Sequence, residues 1–192
     1  MSKTFFRILI VAGCLSFASF TARAQAVVHA LTGVVNNINP AEKTITVITD
    51  DGSGGTFQDV ASHTSMAFDK NIRTDATAAD EFKNKGANVI VYYFGEGDVR
   101  TVVALKVLAS GPFTRSSGTV IKFDKKEHSL SIKNDSGAVE IFKITSSTVA
   151  DTDSGASTGL KFDPHKGEPV RVVATQENGS LTAVFINGAL AL

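Results

Sequence analysis

The feature of this sequence that most restricts its fold is an internal repeat. Residues 33–52 match residues 118–137 at a constant offset of 85, which places Gly33 on Gly118. Towards the end of each copy the match continues at an offset of 81. Because the match covers nearly all of the chain beyond about residue 25, one small fold is predicted to occur twice.

Each copy predicts five short strands, and the second strand has the clearest pattern. Ile45 and Val47 alternate with threonines in the first copy, and Leu130 and Ile132 alternate with serines in the second. Apolar residues at every second position are typical of a strand with one buried face. We therefore expect these four side chains to be buried. The residues expected on the opposite face are Thr44, Thr46, Ser129 and Ser131.

An irregular stretch of about 20 residues separates the third and fourth strands of each copy. In the first copy, residues 77–83 predict a short helix capped by Asp75 or Thr77. The second copy contains Pro164 there and predicts a loop or a single turn. Five strands in this order predict an all-β chain of two tandem, small, five-stranded OB-like barrels. An SH3-like barrel or a small open sandwich fits the pattern nearly as well.

The repeat also predicts the limits of the domains. The first copy covers residues 25–108, the second covers residues 117–192, and residues 109–116 between them form a linker with Gly111-Pro112. A linker of this composition indicates that each copy has its own hydrophobic core.

The first 24 residues have the pattern of a secretory signal. Lys3 and Arg7 precede an apolar run over residues 8–20, and Ala22-Arg23-Ala24 offers the small residues that a signal peptidase accepts. We expect cleavage before Gln25 and a periplasmic or secreted protein.

A lipoprotein signal is the minor alternative. Val11-Ala12-Gly13-Cys14 resembles the segment whose cysteine is lipidated in bacterial lipoproteins. Only six residues separate Arg7 from Cys14, and the apolar run continues past the cysteine. Both features favour soluble export.

Removal of the signal changes the chemistry that is open to the chain. The 192 residues become 168, and the only cysteine is lost with the signal, so neither a disulfide nor a thiolate site is expected. Loss of Lys3, Arg7 and Arg23 leaves 16 basic and 19 acidic residues, a net charge of −3. The chain has no second apolar run of about 18 residues, so we expect no transmembrane span.

The repeat units resemble a known group of proteins. The run TGVVNNINPAEKTITVITDDG, followed by TSM and KGANVIVYYFGEGDVRTVVALKV, resembles an uncharacterised family of exported bacterial OB-like repeat domains. The second copy matches with SGTVIKFDKKEHSLSI, SST and KGEPVRVV. The shared motifs are structural positions. The resemblance therefore implies an OB-like fold outside the cytoplasm and implies no activity.

Two motifs in the second copy suggest chemistry that their surroundings do not support. Residues 155–159 match the G-x-S-x-G pattern of a nucleophilic serine, but they belong to an antiparallel repeat, and only His165 follows them. Residues 151–155 resemble the start of a calcium loop, but Ala156 and Phe162 replace the required glycine and glutamate. We expect neither an enzyme nor a cofactor.

A metal site is the alternative function that the sequence leaves open. His63 and Met66 carry imidazole and thioether groups three residues apart, and such groups can hold Cu(I). The second copy lacks both residues, while the signal-free chain has no other methionine and no tryptophan as a further ligand. The alternative is therefore a small-ligand or copper-binding protein of the periplasm.

The predicted interaction surface lies on the fourth strand of the first copy. Tyr92 and Phe94 share one face of that strand, and the opposite face belongs to the core. We expect the Tyr92 face to pack against the second copy or an outside partner. A negative net charge and export disfavour nucleic acid. The predicted function is non-enzymatic binding of a protein or a cell-envelope component.

Overall fold

The computed structural model describes residues 26–49, 54–59, 72, 75–97, 100–109, 111–177 and 179–188. The predicted signal at residues 1–24, with the lipoprotein alternative at Cys14, lies outside the described residues. Within the described ranges, no helix has both the length and the apolar character needed to cross a membrane.

The first copy of the repeat forms a six-stranded sheet. Its strands are β1 (His29–Asn39), β2 (Thr44–Thr49), β3 (Gly55–Asp59), β4 (Thr77–Ala78), β5 (Asn88–Phe94) and β6 (Thr101–Val107). The neighbours run in the order β3-β2-β1-β5-β6-β4. A parallel pairing of β3 with β6 closes five of the strands into a barrel, and β4 pairs with β6 outside that ring.

The second copy forms a seven-stranded sheet. Its strands are β7 (Phe113–Asp124), β8 (Ser129–Asn134), β9 (Val139–Lys143), β10 (Val149–Thr152), β11 (Gly155–Thr158), β12 (Pro169–Glu177) and β13 (Ser180–Asn187). The order is β11-β10-β13-β12-β7-β8-β9, with β13 also pairing with β9. In both copies the first barrel strand pairs with the second and fourth, and the third pairs with the fifth. This is the connectivity of an OB barrel, and it confirms the predicted fold.

The two barrels agree in register as well as in order. Gly33 pairs with Val89, and Gly118 pairs with Val170, as the offsets of 85 and 81 require. A Cβ atom at either glycine would overlap the backbone of the neighbouring strand, at the carbonyl oxygen of Ile48 or of Lys133. Glycine is required there because the first strand of each barrel bends tightly against the second.

Each barrel encloses its own apolar core. The four alternating residues of the second strands lie in these cores: Ile45, Val47, Leu130 and Ile132 are at most 2% exposed. Their alternating neighbours are only half-buried, and the hydroxyl groups of Thr46 and Thr56 on the outer face lie 3.1 Å apart. The predicted burial pattern is confirmed.

The short helix predicted over residues 77–83 begins later and is shorter than expected. Thr77 and Ala78 form β4, and a single 3₁₀ turn over Ala79–Glu81 follows, with no side-chain cap. Pairing with β6 holds the first two residues in an extended conformation. The three-residue turn then directs Ala79 and Phe82 into the core. A longer helix is not needed to bury these two side chains.

In the second copy, the single turn predicted near Pro164 is confirmed, but the irregular stretch predicted before it is wrong. Strands β10 and β11 form an antiparallel hairpin, and a 3₁₀ turn over Gly159–Lys161 follows them. Gly155 has a φ of +96°, a left-handed conformation that suits glycine at this turn. The hairpin is stabilised because β10 adds to β13 in parallel.

The connection between the barrels is shorter than the predicted linker of residues 109–116. Strand β7 already begins at Phe113, which pairs with Thr175 of β12. Residues 113–116 therefore belong to the second barrel.

A third apolar cluster joins the two barrels. Ala30, Ile90 and Tyr92 from the first barrel contribute to it, and Val173 and Phe185 contribute from the second. Tyr92 and Val173 are equivalent positions of the repeat at the offset of 81. Each barrel therefore presents the same outer face to the other. Separate cores exist as expected, but the copies also share a buried contact.

Candidate ligand cleft between the barrels

The structure places the predicted Tyr92 surface inside the protein. Tyr92 is 0% exposed, whereas Phe94 on the same strand is half-buried. Burial and the nearby carboxylate of Asp75 raise the pKa of the Tyr92 hydroxyl above its usual range. Of the two expected occupants of this face, the structure contains the second copy. The assignment of Tyr92 to an outside partner is therefore corrected, because its ring is fully covered.

The residues of the predicted metal site, His63 and Met66, lie outside the described residues. The copper alternative therefore stays a prediction. Among the residues that the structure does describe, no group of three or more histidine, cysteine, aspartate or glutamate side chains is placed to hold a metal ion.

The serine motif lies in a hairpin strand. Ser157 is part of β11 and pairs with Ala150 in an antiparallel ladder. A nucleophile elbow needs a sharp turn from a strand into a helix. The imidazole of His165 is engaged elsewhere, with Nδ1 2.8 Å from Oε1 of Glu168. The geometry agrees with a structural interpretation of the motif.

Asp151, the first residue of the calcium-like motif, lies at the contact between the barrels. Its carboxylate Oδ1 accepts a hydrogen bond from the backbone N–H of Ala30 at 3.0 Å and lies 3.3 Å from Nδ1 of His29. Nearby, the backbone N–H of Ala156 donates to the carbonyl oxygen of Val28 at 2.7 Å. These contacts bind the start of the first barrel to the hairpin of the second.

Burial has a direct effect on the charge of this carboxylate. The side chain of Asp151 is 5% exposed, and loss of water raises its pKa to about 6. His29 and the N–H of Ala30 oppose that rise by stabilising the carboxylate, while Asp153 adds to it. Because of this raised pKa, the buried carboxyl of Asp151 changes its charge in the mildly acidic range.

The stability of the folded chain should depend on pH through Asp151. The unfolded carboxyl has its usual pKa of about 4. From about pH 4 to 6, the folded protein therefore holds a proton that the unfolded chain has released. Through this group, the free energy of unfolding falls as pH rises across that window.

We expect the wild type to lose stability relative to Asp151→Asn as pH rises from about 4 to 6. The unfolding free energy of the wild type minus that of the variant should therefore decrease over this range. The slope is at most about 1.4 kcal/mol per pH unit. Asparagine is a matched replacement, since its Oδ1 can still accept the N–H of Ala30. Urea unfolding, followed by circular dichroism at several pH values, measures the difference. A difference that is constant across this range would contradict the expectation.

Next to this contact, a cleft of about 330 Å³ opens between the barrels. Leu31 and Thr32 of β1 line it from the first barrel, and Ser116 and Ser117 of β7 line it from the second. These are the same two positions of the repeat at the offset of 85. The cleft therefore lies where equivalent strand segments of the two barrels approach each other.

Two arginines provide the charge of the cleft. Arg115 on β7 and Arg171 on β12 both line it, together with the amide of Asn187. In the ladder, Arg171 is opposite Ser117, and Arg115 is opposite Val173. The arginines are thus diagonal neighbours on one face of the sheet. No acidic residue is among the described lining residues.

A second groove, of about 380 Å³, lies at one end of the first barrel. It is slightly larger, but its wall is mostly apolar and includes Ile38, Ile45 and Phe82, which face the core of that barrel. We favour the cleft between the barrels, because several polar groups converge there on an apolar floor and fix a ligand's orientation.

Sequence reasoning missed the cleft and the Asp151 contact, because both depend on how the barrels pack. One signal was present in the repeat itself. Aligning the two copies places Arg115 on Ala30 and Arg171 on Ile90, so apolar positions of the first copy carry charge in the second.

No protein-family model matches this chain, and no curated protein is found with a similar sequence. The resemblance to exported OB-like repeat domains therefore stays a prediction.

Proposed function

We propose that this chain is an exported, non-enzymatic binding protein whose ligand site is the cleft between its two OB-like barrels. The observation that carries the proposal is the convergence of two arginines, an amide and several hydroxyl groups on one concave surface. Ligand sites occur preferentially at domain interfaces and have volumes of about 300–1,000 Å³. The cleft, at about 330 Å³, meets both criteria.

The groups in the cleft favour binding over catalysis. Its described lining offers hydroxyl, amide and guanidinium groups and contains no histidine, carboxylate or lysine. A guanidinium stays protonated at neutral pH, so none of these groups acts as a general base there. They are suited to holding a ligand by hydrogen bonds and charge.

The rigid setting of the cleft supports the same proposal. Its floor includes Val173 and Phe185, which belong to the buried cluster between the barrels. A site built on paired strands keeps its shape without a ligand, which lowers the entropic cost of binding. The expected ligand source is the cell envelope, in keeping with the predicted export of the chain.

A fragment screen by nuclear magnetic resonance tests this function on the purified exported chain. We expect a subset of small fragments to shift the backbone amide signals of Thr32, Ser117 and Asn187 together. Ser117→Trp should abolish these shifts by filling the cleft. Thr119→Trp is the matched control, because Thr119 is exposed two residues further along β7 and does not line the cleft. Fragments that bind only elsewhere, or binding that survives in Ser117→Trp, would contradict the proposal.

A further inference from the structure

The fold does not require arginine at either of the two charged positions in the cleft. In the first barrel, the equivalent residues are Ala30 and Ile90, at most 1% exposed in the apolar contact between the barrels. In the second barrel, Arg115 and Arg171 are exposed at the edge of that contact. The same backbone positions therefore accept small or aliphatic side chains. The strand pairing itself therefore does not require a guanidinium group at either position.

The register brings the two guanidinium groups to one place. Arg171 lies opposite Ser117 on β7 and opposite Asn187 on β13, so these three side chains share a row across the sheet. Arg115 occupies the next row on the same face, opposite Val173. Diagonal neighbours in such a ladder are about 7–8 Å apart, within reach of long side chains. Both arginines can therefore contact one group in the cleft.

The hydrogen-bond donors of the two arginines favour a ligand with an anionic oxygen group. A guanidinium is planar and presents five N–H donors in a fork that matches the oxygen atoms of a carboxylate or phosphate. With five donors, each arginine can contact other groups of the protein and still donate to a ligand. Around them, Thr32 and Ser117 add hydroxyl donors, and the described lining has no acidic residue that would repel an anion.

The size of the cleft and its apolar surface indicate the size and character of the rest of the ligand. Val173 and Phe185 form an apolar floor beside the arginines. A volume of about 330 Å³ is at the lower end of the range for ligand sites, so the ligand is compact. Asp151 lies across Asn187 from Arg171, but its Oδ1 contacts His29 and the N–H of Ala30, and Asp151 does not line the cleft.

From these observations we infer that the cleft binds a small organic anion, in which a carboxylate or phosphate group contacts Arg115 and Arg171 and a compact apolar body contacts the floor. This inference rests on the proposed function, since it names the class of ligand for the same site.

Matched fragments test the inference on the exported chain. Benzoate is compared with benzamide, and phenyl phosphate with phenol, by titration against the amide signals of Thr32, Ser117 and Asn187. We expect at least one anion to bind about tenfold or more tightly than its neutral partner, because hydrogen bonds to charged groups are worth more than neutral ones. The two anions distinguish carboxylate from phosphate, and preference for either one supports the inference.

Variants show whether the arginines cause the preference. Arg115→Gln and Arg171→Gln should each remove most of it, and Arg171→Lys should weaken it, because lysine cannot form the forked contact. Lys133→Gln is the control, since it removes an exposed positive charge from β8 outside the cleft. Two separate glutamine variants keep the test valid if one of them fails to fold.

The possible failures are distinguishable. Equal binding of each anion and its neutral partner at the cleft would overturn the anion inference and leave the binding function intact. A preference that persists in both glutamine variants would overturn the role of the arginines. If no fragment of either kind shifts the cleft signals, both the inference and the proposed function are wrong.

Discussion

Replacing Leu130 by alanine is expected to lower the free energy of unfolding by about 2–5 kcal/mol. Leu130 is fully buried in the core of the second barrel and pairs directly with Phe142, which is also fully buried. Its truncation removes apolar contacts and leaves a cavity that paired strands cannot readily close. Because small domains have about 5–15 kcal/mol of stability in all, this loss is a large share of the total. Urea denaturation followed by circular dichroism measures the change.

Ser131→Ala is the matched control for this substitution. Ser131 is the next residue on β8, and its side chain is half-buried on the outer face. Its loss should change stability by less than about 1 kcal/mol. If the two variants lost similar stability, the assignment of the inner and outer faces would be wrong.

Replacing Phe185 by alanine is expected to separate the unfolding of the two barrels. Phe185 is 3% exposed and belongs to the cluster between the barrels, not to either barrel core. Truncation of a buried phenylalanine costs about 3–5 kcal/mol, and here that loss falls on the contact that couples the barrels. Calorimetry should show one transition for the wild type and two for the variant.

Ile141→Ala is the control for the loss of an apolar side chain. Ile141 lies on β9 and is 61% exposed, so its truncation should leave a single transition within about 0.5 kcal/mol of the wild type. The linker predicted a separate core for each copy, whereas the buried contact between the barrels predicts coupled unfolding. Two well-separated transitions already present in the wild type would contradict the coupling.

The strands could be predicted because their signals are local. The second strands of the two copies, Thr44–Thr49 and Ser129–Asn134, lie where the alternation of apolar and polar residues predicted them. The repeat supplied independent support, since each strand was predicted twice. Hairpin β10–β11 was missed, because its four-residue strands carry mixed polar and small residues and acquire their stability from β13.

The contact between the barrels could be predicted only in part. Tyr92 showed that β5 has a second apolar face, but no local pattern specifies what covers such a face. The bond from Ala30 to Asp151 joins residues 121 positions apart. Contacts at that separation depend on the orientation of two folded units, which neither periodicity nor turn residues determine.

The shared outer face has an evolutionary consequence. Two separate chains that met through this face would form a symmetric dimer, in which every substitution occurs on both sides of the contact. Here a short connection joins the two halves, so one half can change while the other stays the same. Arginine at position 171 leaves Ile90 in place. Duplication within one chain thus permits a charged pocket on one side of an intact apolar contact. In a homodimer, the same arginines would occur on both sides and would disrupt that contact.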